Sequence, residues 1–462
     1  MTPFIVAREM VPYLIDRAVD REAGWAVRLR RAADALLRTV AHLFPDVVAV
    51  YRDQVVAVLD EAPALMLHLL AQTSEQVPLN ERTMRRVLAH AKTVECAGLV
   101  ATIVARNGNV PQCEDMLFKA VDVLEQDEPN PTDLVASLQH LVKLAKFQVD
   151  LYEDLAASTA TPRLLRVLKT SYVADVRSEW IDRDQLPAET HAQVLAVKVL
   201  TNRAVALAKA PSTTALARET AVPVVRLLDR ILAKEGKLVD DLPPFAASAL
   251  RHAAGRAFLR LAKTRELNGS GPRGDGVGVL PERLYLRWAR LLEDPVQQVR
   301  TALVSKVKTL LPVGQLPPRF LPVLCLVAND PDATLRAAMG AVLKMLAGAP
   351  QLQATHVVEL ALPRLLHILA HAPSFHGEID DAKLAIAYVD MYLDAVLRAD
   401  RVAALLHLLT RTKQCRTRIG DDGDETTRVD TNLYLLVDLT TKHNGFIFHV
   451  LQVPHTSKRR QK

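Results

Sequence analysis

Apolar residues recur at helical spacing along almost the whole chain. They stand three or four positions apart, which places them on one face of a helix. Prolines stand mostly at the joints between these segments. The pattern therefore predicts roughly twenty short helices, or about ten antiparallel pairs. The clearest apolar-periodic segments are residues 134–145 (after Asn130 and Pro131), 194–200, 222–232, 246–262, 357–370, 384–397 and 402–409.

One motif occurs twice, at an offset of 36 residues from Asp294 to Asp330. Residues 294–300 read DPVQQVR, and residues 330–336 read DPDATLR. A period of this length is typical of stacked helical hairpins, and the motif is the signature of HEAT repeats. The apolar positions match at the same offset, with one break where Lys306 corresponds to Val342: Val299, Leu303, Val307 and Leu310 correspond to Leu335, Met339, Leu343 and Leu346.

Each copy of the motif predicts a helix start. Asp is favoured as the N-cap because its carboxylate accepts hydrogen bonds from backbone N–H groups. Pro is favoured at the first helical position, where its missing N–H has no cost. We expect the Arg of each copy to pair with an acidic residue of a neighbouring repeat. The predicted structural signature is Asp294, Pro295, Arg300, Asp330, Pro331 and Arg336.

The fold class predicted from these patterns is all-α, a HEAT- or armadillo-like α-solenoid of antiparallel helix pairs. Hydrophobic residues make up 50% of the chain and aromatic residues only 5%, which favours close helix packing. We expect one continuous solenoid over residues 1–453. A flexible glycine-rich insertion at 267–279 and an acidic loop at 420–426 interrupt it, and a disordered basic tail at 454–462 follows it.

Catalytic, metal-binding and nucleotide-binding motifs are missing from the sequence. There is no G-x-S-x-G or G-x-x-x-x-G-K-[ST] motif, and the four cysteines form no C-x-x-C pair. We therefore expect no enzyme, cofactor, metal or small-molecule substrate. No secretory signal or apolar run of membrane-spanning length is present, so we expect a soluble intracellular protein without a membrane partner. The net charge of +6 is mild and does not by itself indicate nucleic-acid binding.

Three short patterns resemble functional motifs only in part. Residues 269–274 (GSGPRG) match G-x-G-x-x-G, but a helical segment precedes them where the dinucleotide fold needs a strand. His367 and His371 share a helix face, yet Ile368 stands where a zinc protease needs Glu. Residues 421–425 are acidic but lack EF-hand spacing. We interpret the three as a linker, a packing or surface pair, and a solvated loop.

Two basic clusters leave alternatives open. The tail is either functional, as a nuclear-import signal or a phosphate contact, or a solubilising end, and the sequence favours neither. The second cluster lies on one predicted helix, where a solvated face is favoured over a contact for an acidic partner segment. The tail residues are Lys458, Arg459, Arg460 and Lys462, and the helix residues are Arg82, Arg85, Arg86 and Lys92.

Several ordered segments carry a resemblance to a known family. They are Phe44–Tyr51, Trp180 with Leu186 and 192–203, Glu235-Gly236-Lys237-Leu238, 251–262, the twin Asp/Arg motifs, Leu369–Phe375 and Asn432–Leu439. In this order, over roughly residues 40 to 445, the chain resembles the second half of the PDS-five (precocious dissociation of sisters) family of cohesin regulators.

The resemblance implies a non-enzymatic scaffold that supports sister chromatid cohesion in mitosis, in the nucleus and on chromatin. Its implied partners are the cohesin complex, through the kleisin subunit, and regulators such as Wapl. No partner-contact residue follows from it. Two alternatives remain: another HEAT adaptor, such as a nuclear transport receptor or phosphatase scaffold, and a weak DNA-binding chromatin protein.

Overall fold

The computed structural model describes residues 3–19, 26–73, 79–172, 176–210, 214–268, 278–416 and 423–442. All regular structure within these ranges is helical, which confirms the all-α prediction. The centre of the predicted glycine-rich insertion (269–277) lies outside the described residues. So does the basic tail with Lys458, Arg459, Arg460 and Lys462.

The helices are short and closely spaced, as the proline punctuation predicts. They are α1 (Pro3–Val19), α2 (Ala26–Leu43), α3 (Pro45–Val50), α4 (Arg52–Ala57), α5 (Pro63–Thr73), α6 (Glu81–Ala89), α7 (Val94–Arg106), α8 (Val110–Glu125), α9 (Pro131–Phe147), α10 (Val149–Leu155), α11 (Ala157–Val167), η1 (Arg183–Gln185), α12 (Ala188–Lys209), α13 (Thr214–Ala233), α14 (Pro244–Ala262), α15 (Arg265–Asn268), α16 (Glu282–Ala289), η2 (Arg290–Glu293), α17 (Gln297–Leu310), η3 (Pro318–Val327), α18 (Ala333–Gly348), α19 (Pro350–Ala354), α20 (Ala361–Ala370), α21 (Ile379–Val396), α22 (Val402–Thr412) and α23 (Gly423–Thr441), where η marks a 3-10 helix.

The chain divides into two compact units. The first contains Met1–Val176, Ile181–Val224 and Leu238–Pro243, and the second contains Arg177–Trp180, Val225–Lys237 and Pro244–Lys462. The expectation of one continuous solenoid over residues 1–453 therefore stays a prediction.

In the first unit, α2, α5, α7, α9 and α12 pack one against the next. The predicted start of α9 is confirmed, because Asn130 accepts a hydrogen bond from the Thr132 N–H and Pro131 opens the helix. Polar side chains tie these helices together. Asn202 donates to the Val142 carbonyl at 2.7 Å, and Arg203 binds Glu153 through Nε–Oε1 at 2.5 Å and Nη2–Oε2 at 2.6 Å.

In the second unit, the helices form two layers. In the layer that we call layer B, α14, α17, α18, α21 and α23 pack in succession. In the other layer, called layer A, α16 continues into η2. Helices η2, η3, α20 and α22 of this layer pack one against the next. Each helical pair therefore contributes one helix to each layer, as expected of stacked helical repeats.

Four aromatic side chains form the core between these layers. The Trp288 ring stacks on Phe258 with centroids 5.1 Å apart and lies edge-on to Phe320 at 5.2 Å. Trp288 Nε1 donates to the Gly255 carbonyl at 3.2 Å, and the Tyr285 hydroxyl donates to the Arg319 carbonyl at 2.7 Å. Both polar tips are thus satisfied inside an apolar cluster, which fixes α14 against α16 and η3.

The predicted caps at Asp294 and Asp330 are wrong. Helix α17 begins at Gln297 after Val296, and α18 begins at Ala333 after Asp332. Asp294 and Asp330 therefore precede their helices by three residues, and Pro295 and Pro331 lie in the turns. The carboxylates accept the N–H two residues on, at 2.9 Å from Val296 and 2.8 Å from Asp332. The side chain that caps α18 is Asp332, which accepts from the N–H groups of Thr334 and Leu335.

The predicted acidic loop at 420–426 is helical at its C-terminal end. Helix α23 begins at Gly423, whereas residues 417–422 lie outside the described residues. Residues 423–426 of the predicted loop therefore belong to a helix.

The Glu235-Gly236 pair forms the sharp turn between α13 and α14. Both residues are left-handed, with φ of 51° at Glu235 and 88° at Gly236. The Gly236 N–H donates to the Ile231 carbonyl at 2.8 Å, the bond that closes a Schellman motif. A Cβ at Gly236 would lie 2.1 Å from the Ala247 carbonyl oxygen, so only glycine fits.

We predict that Gly236→Ala lowers the free energy of unfolding by about 2–4 kcal/mol, because the new methyl group meets rigid backbone. Urea denaturation measures the loss. The control is Gly314→Ala, which has a similar φ of 68° but open space around the added Cβ. It should cost about 1 kcal/mol, the conformational term alone. Equal losses in both variants would show that the close contact with Ala247 has no energetic weight.

Candidate functional site: a helical-repeat interaction surface

Arg300 joins two successive repeats. Its Nε donates to Asp330 Oδ2 of the next repeat at 2.7 Å, and its Nη1 donates to the carbonyl of Asp294 in its own repeat at 2.6 Å. The Arg300 side chain is 12% exposed and the Asp330 side chain 2%. The predicted pairing with an acidic residue of a neighbouring repeat is confirmed here.

Arg336 repeats half of this arrangement. Its Nη1 donates to the carbonyl of Asp330 in its own repeat, as Arg300 does to Asp294. Because each Arg also holds the turn before its own helix, it fixes the direction in which that helix leaves the turn. The six signature residues therefore come together as a chain of contacts, with the two prolines exposed at its edge.

Arg251 of α14 is a third member that the sequence analysis missed. It binds Asp294 through Nε–Oδ2 at 2.6 Å and Nη2–Oδ1 at 3.0 Å, and its Nη1 donates to the Glu235 carbonyl at 2.9 Å. The Glu235 carbonyl thus accepts a hydrogen bond from Arg251 as the Asp294 carbonyl does from Arg300. We call the contacts Arg251–Asp294 and Arg300–Asp330 the arginine ladder.

A signal for Arg251 was present in the sequence. Arg251 stands 49 residues before Arg300, which is the 36-residue period plus the 13 residues of the glycine-rich interval 267–279. The apolar positions agree at this offset as well. Leu250, Ala254, Phe258 and Leu261 correspond to Val299, Leu303, Val307 and Leu310. The insertion therefore hid a third copy of the repeat.

A further buried ion pair lies in the same unit, at the opposite end of α18 from the ladder. Arg401 binds Glu359 through Nε–Oε1 at 3.1 Å, with the two side chains 6% and 4% exposed. Its Nη2 also donates to the Ala347 carbonyl at 2.9 Å. Arg401 thus holds the C-terminal end of α18 and the start of α22, which extends polar cross-linking beyond the signature residues.

Arg82, Arg85 and Arg86 of the basic cluster lie on α6, whereas Lys92 follows the end of this helix at Ala89, so the four do not share one helix as predicted. Arg86 binds Asp60 at 2.7 Å and donates to the Val56 carbonyl at 2.7 Å, so it joins α6 to α4. Arg85 pairs with Glu81 one turn earlier, and both side chains are largely exposed. Two of the cluster's four cations are therefore neutralised within this unit. A contact for an acidic partner is weakened as an interpretation of this cluster.

The first unit contains an open cleft of about 550 Å³. Three arginines and three acidic residues line it, so its walls carry no excess charge, and Arg38 already pairs with Asp34 at 2.5 Å. The cleft therefore favours no class of ligand by charge. Its charged and titratable lining residues are Arg30, Arg31, Asp34, Arg38, Glu61, His90, Glu95 and Cys96.

The His367 and His371 rings contact each other, with their Nε2 atoms 3.2 Å apart and their centroids at 4.5 Å. Burial lowers the pKa of both, to about 4 for His371. Within the part of the chain that the structure describes, no group of three or more His, Cys, Asp or Glu residues could hold a metal ion. The pair is a packing contact of α20.

The quoted motifs at the C-terminal end contact one another. The Asn432 side chain donates to the Phe375 carbonyl at 3.0 Å, so α23 holds the turn that follows α20. Trp180 packs edge-on against His252 of α14 with centroids 5.7 Å apart. The residues that carry the family resemblance therefore stabilise a turn and a contact between helices.

Within the described residues, no helix combines the length and the hydropathy that a membrane span requires.

These features define a helical-repeat protein whose ordered polar groups hold the repeats in place. The sequence profile of the family described as "Sister chromatid cohesion protein PDS5 protein" matches residues 1–442. The chain therefore belongs to this family. The profile match begins at residue 1, whereas the resemblance of the sequence motifs begins at about residue 40.

Individual relatives are distant in sequence. The chain is 25% identical over 368 residues to the sister chromatid cohesion protein pds5 of Schizosaccharomyces pombe, covering 78% of this chain and 28% of that protein. It is 25% identical over 278 residues to PDS5 of Saccharomyces cerevisiae, covering 55% and 21%. It is 27% identical over 209 residues to the human PDS5 homolog A, covering 42% and 14%. The chain thus spans less than a third of the length of these relatives.

We predict that Arg300→Glu lowers the free energy of unfolding by about 3–5 kcal/mol, because it leaves the buried Asp330 carboxylate facing a like charge. Arg336→Glu should also destabilise. Thermal and urea unfolding measure both. The control, Arg85→Glu, breaks an exposed pair and should change stability by less than about 1 kcal/mol. Unchanged melting of both Arg300→Glu and Arg336→Glu would contradict the structural role of these arginines.

A pH dependence follows from four half-buried histidines. Burial lowers the pKa of His140, His191, His252 and His371 to about 4, against 6.5 in an unfolded chain. As the pH falls, these imidazoles therefore become protonated in the unfolded chain before they do in the folded chain. The contribution of the histidines to the free energy of unfolding is fully present above pH 6.5 and is lost as the pH decreases toward 4.

We predict a lower urea midpoint at pH 5.0 than at pH 7.0, with a smaller difference in His140→Gln. His140 is suited to this test because its Nε2 contacts the Ala91 carbonyl at 3.0 Å. The exposed His376→Gln variant is the control and should keep the wild-type difference. A midpoint that does not change over this range would mean that these histidines stay accessible to protons in the folded protein.

Proposed function

We propose that this chain is a non-enzymatic scaffold that supports sister chromatid cohesion by binding the cohesin complex. The observation that carries the proposal is the family profile, which matches residues 1–442. The relatives reported above are named as sister chromatid cohesion proteins. The chain covers only part of those proteins, so their activity enters here as a proposal.

The contacts within the second unit support a scaffold rather than a catalyst. Each repeat buries its apolar face against its neighbours, and the arginine ladder fixes the helices of layer B. Such stacks present an extended surface whose side chains keep their spacing, which suits recognition of a partner segment. The polar side chains of the ladder are engaged in contacts between helices.

The proposed partners are the kleisin subunit of cohesin and regulators such as Wapl, with the nucleus and chromatin as the place of action. They come from the resemblance of the ordered motifs. The alternatives of a transport receptor or a phosphatase scaffold lose support, because the family profile matches almost the entire chain.

Affinity purification tests the proposal. The tagged chain is expressed at its natural level in its own cells, and the proteins that come with it are identified by mass spectrometry. We expect cohesin subunits, including the kleisin, in excess over a tag-only control. A Ran-like GTPase or phosphatase subunits in place of cohesin would support the alternative adaptors and contradict the proposal.

Nuclear location is tested separately with the last five residues. We predict that removal of residues 458–462, which include Lys458, Arg459, Arg460 and Lys462, lowers the nuclear fraction of the tagged chain and leaves its melting temperature unchanged. Microscopy of the tagged variant measures the distribution. An unaltered distribution would make the tail a solubilising end.

A further inference from the structure

Three successive helices of layer B contain no acidic residue. Helices α14, α17 and α18 have 19, 14 and 16 residues, and they carry eight Lys and Arg but no Asp or Glu. The whole chain has 52 acidic residues among 462, a share that would place about five in helices of these lengths. The neighbouring α21, in contrast, carries four Asp and one Lys. The basic character is therefore confined to one part of the layer.

The cations of α17 and α18 have two different roles. Arg300 and Arg336 are used by the contacts between and within repeats. Lys306, Lys308 and Lys344 are exposed, and no acidic residue in the described part of the chain pairs with them. Their positive charge is thus available at the surface. We call Lys308 of α17, together with Lys344 and Met345 of α18, the lysine face, because Lys306 stands two residues before Lys308 and so points to the other side of α17.

The repeat places these lysines in register. Lys344 follows Lys308 by the 36-residue period, so the two occupy the same position in successive repeats. Because α17 packs against α18, equivalent positions lie about 10 Å apart. The ladder contact from Arg300 to Asp330 fixes this spacing, since it joins the starts of the two helices.

An apolar side chain lies within the lysine face. Met345 is 54% exposed and stands next to Lys344. The outward positions around it are small and uncharged, and a bound chain could approach the two helices closely there. These positions are Ser305 on α17 and Ala337 and Ala341 on α18, all of them exposed.

We infer that the lysine face binds an acidic segment of a partner protein that also carries a large apolar side chain. The inference rests on the proposed function, in which the kleisin is a partner, and it names the surface and the chemistry of the bound segment. Acidic side chains would pair with Lys308 and Lys344, and the apolar side chain would cover Met345. A segment that crosses both helices needs about six extended residues.

A polypeptide fits this face better than duplex DNA does. Phosphate backbones gain affinity from the number of cations that they meet, and only three unpaired lysines are present on α17 and α18. The phosphate backbone gains no affinity from the exposed thioether of Met345 beside the lysines. Methionine is, however, enriched where proteins contact proteins, because its flexible side chain adapts to an apolar partner.

Fluorescence anisotropy with defined probes tests the inference. The probes are labelled 15-residue peptides that tile the kleisin of the same organism, and a 30-base-pair DNA duplex. We expect the tightest peptide to be acidic with an apolar residue. The double variant Lys308→Glu with Lys344→Glu should weaken its binding at least about tenfold near 0.1 M salt, and less at higher salt. Met345→Ser should weaken binding a few-fold at every salt concentration.

Matched controls separate the face from general charge and from unfolding. Lys383→Glu makes half of this charge change on α21, and Leu360→Ser removes an apolar side chain that is 45% exposed outside the lysine face. Both should bind like the wild type. Circular dichroism melting confirms that every variant is folded.

Each remaining outcome is decisive. Unchanged peptide affinity in the lysine double variant overturns the inference, and so does tighter binding of the duplex that depends on the same lysines. If cohesin co-purifies with the chain but no tiled peptide binds, the inference fails and the proposed function stands. If cohesin does not co-purify and no peptide binds, both fail.

Discussion

The contact from an arginine of one repeat to an aspartate of the next organises the second unit. Hydrophobic burial holds the helices together, but it has little direction and would tolerate sliding of one pair past another. Arg300 removes this freedom, because its guanidinium binds Asp330 of the next repeat and the Asp294 carbonyl of its own. Arg251 does the same one repeat earlier with Asp294 and Glu235. The aromatic core around Trp288 packs between helices whose relative positions are fixed by these contacts.

Much of this arrangement could be predicted from the sequence. Helical spacing of apolar residues and proline punctuation predicted the all-α class, and the 36-residue offset predicted the pairing of Arg300 with a neighbouring acidic residue. The cap assignments failed because a sequence shows which residue types favour a helix start but not which partners compete for them. At Asp294, both carboxylate oxygens bind Arg251, and the helix begins three residues later. Arg251 itself was missed because the interval 267–279 interrupts the period.

The proposed interaction surface could not be predicted in the same way. The absence of acidic residues from α14, α17 and α18 is visible in the sequence, but these helices are adjacent only because the chain places alternate helices in one layer. Which cations remain available also depends on contacts: Arg300 is used by the ladder, whereas Lys308 is not. The same repeat that aligns the ladder aligns Lys308 with Lys344. The 36-residue offset therefore determines both the contacts of the ladder and the alignment of the lysines in the proposed binding surface.

A double-mutant cycle on Arg300 and Asp330 tests the central claim most directly. The free energies of unfolding of the wild type, Arg300→Met, Asp330→Asn and the double variant are measured by urea denaturation of the full chain. If the contact fixes the repeats, the two single losses are not additive, and the coupling free energy is at least about 1.5 kcal/mol. Additive losses, with a coupling free energy near zero, would show that the repeats are held in register by apolar packing alone.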